Sequence, residues 1–230
     1  MLSDGRLEPR RWGCEDAIVA LSLPERGGAG IPPGWSGVAL AAGFVAGPLR
    51  GDAARLLGGL DLLVYIGGGT IGDRGLVGGL GVPAYYLPGR LDDPYVVGVM
   101  SDVATSVEGR MVYHCCGVSL AGVGGREPLT NIEGLRGAPR RGGVLVLVSA
   151  HEPHGFCDLG GLGVRRGLFE LSSLARELGA VAHVFPGAEP CAFERRGVVY
   201  LSTGPHGSGC TAVLYLGEGG VEGYRVVCSA

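Results

Sequence analysis

The chain has 230 residues, enough for one domain with a sizeable core, and 46% of them are hydrophobic. A net charge of −3 excludes a whole-protein electrostatic footprint for nucleic acid. The apolar runs, VALAAGFVAG and VLVLV among them, are too short to span a bilayer, and the opening MLSDGRLEPRRWG carries no apolar leader, so a soluble cytoplasmic protein without membrane association is expected.

Residues 1–34 end in the linker-like PERGGAGIPPG. This divides the chain into an N-terminal extension over 1–34, with room for one added strand over 17–22 (AIVALS), and a main domain over 35–230. In the main domain, residues 38–45 (VALAAGFV) form a buried strand and 49–59 (LRGDAARLLGG) a short helix. Residues 61–66 (DLLVYI) and 82–87 (VPAYYL) are further buried strands. Strands follow over 111–115 and 118–123, then a helix-poor stretch over 125–143, then a core strand over 144–149. The strongest helix covers 165–178, where Leu168, Leu171, Leu174, Ala175 and Leu178 share a face and Gly179 is the stop signal. Short strands over 181–185, 198–202, 212–216 and 224–228 close the chain. Continuous apolar strands alternating with helices argue for an α/β fold whose sheets are covered on both faces.

Composition adds two signals. There is no glutamine and Asn131 is the only asparagine, an amide scarcity that fits a thermophile; lysine is also absent, which is not the usual thermophile signal, and the excess of arginine, glycine and alanine fits a GC-rich genome. Seven cysteines are present and none forms a CxxC, so a zinc ribbon or a thioredoxin-like site is excluded. The local basic cluster Arg136, Arg140 and Arg141 sits in a Gly/Pro-rich stretch and reads as a solvated linker.

Two stretches carry candidate chemistry. From Gly67 to Gly72 the sequence GGGTIG follows a strand, with Asp92 about 20 residues on, as a dinucleotide-binding turn would require. With 46 glycines in the chain the pattern also arises by chance, and the following DRGLVGGLG is a poor helix with which to hold a pyrophosphate. The other stretch is VLVLVSAHEPHGFCD, where a buried strand runs straight into His151. A histidine at the carboxyl end of such a strand is where an α/β fold places its chemistry.

SAHEPHGFCD resembles the T-H-x-P-P-x-G-x-x-D segment of the calcineurin-like metallophosphoesterases. DLLVYIGG is similar to the family's strand ending in G-D, and AYYLPGRLDDP to the one ending in P-G-N-x-D. VAHVFPGAEP is similar to the strand ending in G-H-x-H-x-P, and VVYLSTGPHGSGCTAVLYL to the closing hairpin. Order and spacing agree over roughly residues 38–216. The resemblance implies a four-layer α/β/β/α sandwich over the main domain, with the site at the strand ends.

Members of that family hold two divalent metals with carboxylates, imidazoles and one amide. Here the first motif falls on Phe44-Val45-Ala46, the bridging aspartate on Gly68, the asparagine on Arg90, the catalytic histidine on Leu91 and the last pair on Pro186 and Ala188. His151 alone keeps a ligand position. The resemblance therefore implies a degenerate member, with no cofactor expected and an unknown protein partner or a small anionic ligand in place of a substrate. The vestigial pocket would be lined by Gly68, Arg90, Asp92, His151, His154, Asp158, Glu189 and His206, with Arg90 pairing with Asp92, Asp93 or Glu189. An alternative keeps a weak, rebuilt centre for manganese, iron or zinc around His151, His154, Asp158 and Glu189. A second alternative is a dinucleotide binder using Gly67 to Gly72. His114 and His183, set in strands, read as structural. In this fold Cys157 and Cys191 lie on neighbouring loops, and a disulfide between them would staple the pocket.

Overall fold

A computed structural model describes residues 40–49, 57, 59–114, 117–139 and 142–228. The strand expected over 17–22, the whole 1–34 extension and most of the helix expected over 49–59 lie outside the described residues.

The chain folds as two six-stranded sheets lying face to face. One has the strand order β12-β11-β1-β2-β3-β4 and the other β5-β6-β7-β8-β10-β9. The first sheet is built on β1 (Leu40–Val45), β2 (Leu62–Ile66) and β3 (Ala84–Leu87), all parallel, edged by the short β4 (Thr105–Ser106). On its other side β11 (Cys210–Gly217) and β12 (Gly220–Cys228) add antiparallel strands. The second sheet has β6 (Val118–Val123), β7 (Val144–Ser149), β8 (Ala182–Phe185) and β10 (Val198–Thr203) parallel at its centre. Antiparallel β5 (Met111–Tyr113) and β9 (Pro190–Arg195) form its edges.

Burial on both faces explains why the central strands are almost continuously apolar. Phe44, Val64, Leu87, Val146, Val184 and Leu214 point between the sheets into one shared core. Their neighbours Val45, Leu63, Tyr65 and Tyr86 face outward against Val77 and Met100. These last two belong to α1 (Asp73–Gly79) and α2 (Pro94–Ser101). On the far side Val123, Leu145, Leu147 and Tyr200 pack with Ile132, Leu135, Leu171 and Leu174. Those come from α3 (Pro128–Arg136) and α4 (Phe169–Glu177). The result is helices, sheet, sheet, helices: the expected four-layer α/β/β/α sandwich. Among the described residues no helix is long and apolar enough to cross a membrane.

Several local expectations need correction. The stretch expected to be helix-poor contains α3. Proline at its start costs nothing there, and Ile132 and Leu135, three apart, fasten it to the sheet. Arg136, expected in a solvated linker, lies in this helix and pairs with Glu177 of α4 at 2.7 Å. The strongest predicted helix begins at Phe169 rather than Arg165. Residues 165–168 are held extended instead, because Leu168 N donates to Glu152 O, Arg166 N to Asp158 O, and Leu159 pairs with Arg165. Its end is as expected: Gly179 takes a φ of 67°, with Gly179 N bonded to Arg176 O and Ala180 N to Ala175 O, a Schellman stop. Two further helices, α1 and α2, and the edge strand β9 have no counterpart in the apolar periodicity. Strand β9 is half-exposed and α1 carries three glycines.

All four described cysteines are paired. Cys157 joins Cys191, as the resemblance implied, and Cys210 joins Cys228 directly across the β11–β12 pair. Of the seven cysteines in the chain this leaves three. Thiol titration of the denatured protein is therefore expected to find at most three thiols without reductant and all seven after reduction. A count of seven before reduction would contradict both bridges.

Candidate functional site

The carboxyl ends of β1, β2, β3, β7, β8 and β10 meet at one rim, and the motif-bearing loops converge there. They surround a cavity of about 450 Å3, a size suited to a small molecule. Its lining includes Gly68, Arg90 and Asp92 from the first sheet, and His151, Glu152, Pro186 and His206 from the second.

The loop after β2 is made by glycine out of steric need. Gly67 and Gly68 have φ values of 50° and 68°, which residues with a Cβ rarely adopt. A Cβ on Gly68 would press on Gly47 O at 2.8 Å and His206 Nδ1 at 2.9 Å. Asp92 holds this loop from below. Its carboxylate accepts from Gly68 N at 2.7 Å, Gly89 N at 2.9 Å and the Tyr86 hydroxyl. Burial and this carboxylate push the Tyr86 phenol well above its ordinary range, so it stays a donor. Arg126 reaches the Asp92 carbonyl oxygen at 2.6 Å from behind. Asp92 is therefore saturated and 5% exposed, a brace of the wall.

His151 is half-buried, and its Nε2 donates to Gly125 O at 2.9 Å. That bond leaves Nδ1 as the nitrogen able to meet a ligand. His206 lies beside Gly67 and Gly68. Desolvation lowers its imidazole below the usual value, opposed by the charges of Asp92 and Glu152.

The arginines complete the rim. Arg90 is exposed, and among the described residues it makes no ion pair; the expected pairing with Asp92, Asp93 or Glu189 does not form. Asp92 is turned inward to amide donors, Asp93 caps α2 through Tyr95 N at 2.7 Å, and Glu189 lies off the cavity. Arg166, which sequence reading missed, also lines the cavity without an ion pair among the described residues. Its signal was present as the RR dipeptide at 165–166, but only the hairpin over 159–165 turns the second arginine toward the site.

The remaining predicted site residues fall elsewhere. Asp158 is fully buried behind the wall, bonded to Arg165 at 2.7 Å and to Gly155 N at 3.0 Å. Desolvation would raise its carboxyl, but these donors hold it below the usual carboxylate range. His154 stacks on Phe169 with ring centroids 3.7 Å apart and lies 3.7 Å from Asp158. Neither lines the cavity, so His151, His154, Asp158 and Glu189 are not brought together. Among the described residues no three His, Cys, Asp or Glu side chains are placed to hold a metal ion.

The turn from Gly67 to Gly72 is also committed. The carboxylate of Asp73, at the start of α1, accepts from Thr70 N at 2.7 Å, Thr70 Oγ1 at 2.8 Å, Tyr65 OH at 3.0 Å and Leu49 N at 3.0 Å. It sets a negative charge where a pyrophosphate would approach, and Gly89 fills the space beside Gly67. His183, buried in β8, and His114, just beyond β5 and bonded to Tyr85 OH at 2.7 Å, lie away from the cavity.

No protein-family model matches the sequence, and no curated protein matches it significantly. Solved structures do match by fold. One crystal structure aligns at a TM-score of 0.62 and 12% identity, covering 84% of this chain and all of that one. The protein TT1561 of Thermus thermophilus aligns at 0.56 and 15% identity, covering 83% of this chain and 99% of that one. Vacuolar Protein Sorting 29 of Cryptosporidium parvum aligns at 0.44 and 14% identity, covering 83% and 97%. With its paired six-stranded sheets, outer helices and loop site at the strand ends, the chain has the calcineurin-like metallophosphoesterase fold.

Proposed function

We propose that this is a catalytically degenerate metallophosphoesterase-fold protein, one that binds a ligand or partner at the strand-end cavity and works without a dimetal centre. The observation that carries the reading is the donor set of that cavity. Two divalent ions need several carboxylate, imidazole or amide ligands within a few Å of one another. The corresponding positions hold Gly68, Arg90, Leu91 and Pro186, with His151 the one imidazole retained. The carboxylate of Asp92 is consumed by its own three donors. Two guanidinium groups at the rim would repel a dication. The residues present do not fit a pair of metals. The same reading keeps the protein in the cytoplasm of a thermophile. Disulfides persist inside cells of hyperthermophiles, and the scarcity of thermolabile amides, with no glutamine and a single asparagine, agrees.

The test is metal analysis of the purified protein, paired with a generic phosphodiester assay in manganese. Substoichiometric metal and no turnover above the protein-free rate are expected. Stoichiometric, tightly held metal with an activity abolished in His151→Ala would overturn the reading in favour of a rebuilt centre.

A further inference from the structure

We propose that the cavity is a metal-free site for a phosphate ester, gripped by Arg90 and Arg166. This deepens the binding reading above and rests on it. Both arginines line the cavity and neither makes an ion pair among the described residues. They come from different sheets, one after β3 and the other from the hairpin that follows β7, so they face the space from separate walls. The Arg166 side chain is steadied by Gly160, where only the missing Cβ leaves room: a Cβ there would touch Nε at 3.1 Å and Cζ at 3.4 Å. Guanidinium forks bind tetrahedral oxyanions with two parallel N–H donors, which a compact ammonium cannot do. His151, whose Nε2 is bonded to Gly125 O, adds a further polar group to the same wall through Nδ1.

The charge balance favours an anion on the arginine side. The Asp92 carboxylate is turned to Gly68 N, Gly89 N and the Tyr86 hydroxyl, and Arg126 is bonded to its main-chain carbonyl. Among the described lining residues, Glu152 is the carboxylate without such donors that stands opposite Arg90 and Arg166. A carboxylate beside a phosphate suits the hydroxyls of an ester's alcohol portion rather than a second anionic group.

Two sources share this chemistry, a soluble phosphate ester and the headgroup of a phospholipid. The second has its own observation. The hairpin that carries Arg166 ends in an exposed apolar tip, with Leu162 94%, Val164 61% and Leu159 55% exposed; Leu91, on the cavity rim, is 89% exposed. Apolar side chains flanked by arginine are suited to the interface of an anionic bilayer.

The experiment is calorimetric titration of the intact protein in EDTA with inorganic phosphate and glycerol 3-phosphate. Beside it runs co-sedimentation with phosphatidylcholine vesicles with and without phosphatidylglycerol. Saturable binding in EDTA is expected in at least one arm. Arg90→Gln and Arg166→Gln should each weaken it about tenfold or more, the size of a lost charge-assisted contact. Arg195→Gln, off the cavity on β9, should leave it unchanged. Binding to phosphatidylglycerol vesicles that Leu162→Ser abolishes assigns the lipid source; binding of glycerol 3-phosphate indifferent to Leu162→Ser assigns the soluble one. No binding in any arm, with or without manganese, overturns the phosphate site and leaves the metal-free reading standing. So does binding indifferent to both cavity arginines. Binding that appears only with manganese and vanishes in EDTA overturns both.

Discussion

Acidifying the protein from about pH 7 to about pH 5 is expected to lower its folding free energy by about 2 kcal/mol through His183 alone. His183 is fully buried in β8, between the rings of Phe185 and Tyr200. The Ser149 hydroxyl gives its one proton to His151 O at 2.7 Å, so His183 Nε2 must donate to Ser149 Oγ, also at 2.7 Å. Nδ1 is buried without a hydrogen-bond partner. Protonating it would bury an N–H and a charge with nothing to receive them. Burial accordingly lowers the imidazole from 6.5 to about 3.

The sign follows from proton counts. Between pH 6.5 and about pH 3 the unfolded chain binds a proton at this residue and the folded chain does not. The contribution is therefore present above pH 6.5 and is lost progressively as the pH falls toward 3. Chemical denaturation at several pH values, for the parent and for His183→Gln, isolates it. Glutamine keeps a donor for Ser149 and does not titrate, so the variant's profile should be flatter by about 2 kcal/mol over that interval. Parallel profiles would show that His183 titrates normally.

Replacing Gly125 with alanine should destabilise the protein by about 3 kcal/mol or more. Gly125 follows β6, and its amide donates to Pro88 O at 2.9 Å, tying the second sheet to the loop after β3. A Cβ here would overlap the amide nitrogen of Arg90 and the carbonyl carbon of Gly89. Backbone cannot swing aside as a flexible side chain can. The loops carrying Arg90 and His151 would have to separate, since His151 Nε2 also holds Gly125 O. Gly75→Ala is the contrasting control. It lies exposed within α1 with nothing within 4 Å of a new Cβ, and should stabilise by about 0.5–1 kcal/mol. Equal effects of the two substitutions in thermal or denaturant unfolding would contradict the close approach at Gly125.

The strands were legible because their physics is local. A run such as VLVLVS is apolar at both phases of the alternation, which only a strand covered on both faces requires. Helix α4 was legible for the same kind of reason, its apolar residues recurring at helical spacing before a glycine stop. Helices α1 and α2 were not. DRGLVGG is weak by propensity, and it folds as a helix because Asp73 gathers donors from Leu49 and Tyr65 as well as the neighbouring Thr70, and Val77 is buried.

The site divides along the same line. That the loops after DLLVYI, AYYL, VLVLVS and AHVF converge follows from the order of the strands, and Gly68, Arg90, Asp92 and His151 were found from their motif positions. His154, Asp158 and Glu189 are near His151 or Pro186 in sequence, yet face away from the cavity. Asp158 is drawn inward by Gly155, Gly167 and Arg165, a choice no spacing rule encodes. Arg166 shows the converse, since nothing in LGVRRGLF separates it from Arg165. Pairing of Leu159 with Arg165 sends one arginine to a buried carboxylate and its neighbour into the cavity. The layers and the residue types that end each strand could be read along the chain, because each depends on residue type at a fixed place in it. Which charges are saturated within the protein, and which stay available to a ligand, emerged with the packed fold alone, because that depends on donors brought together from distant parts of the chain.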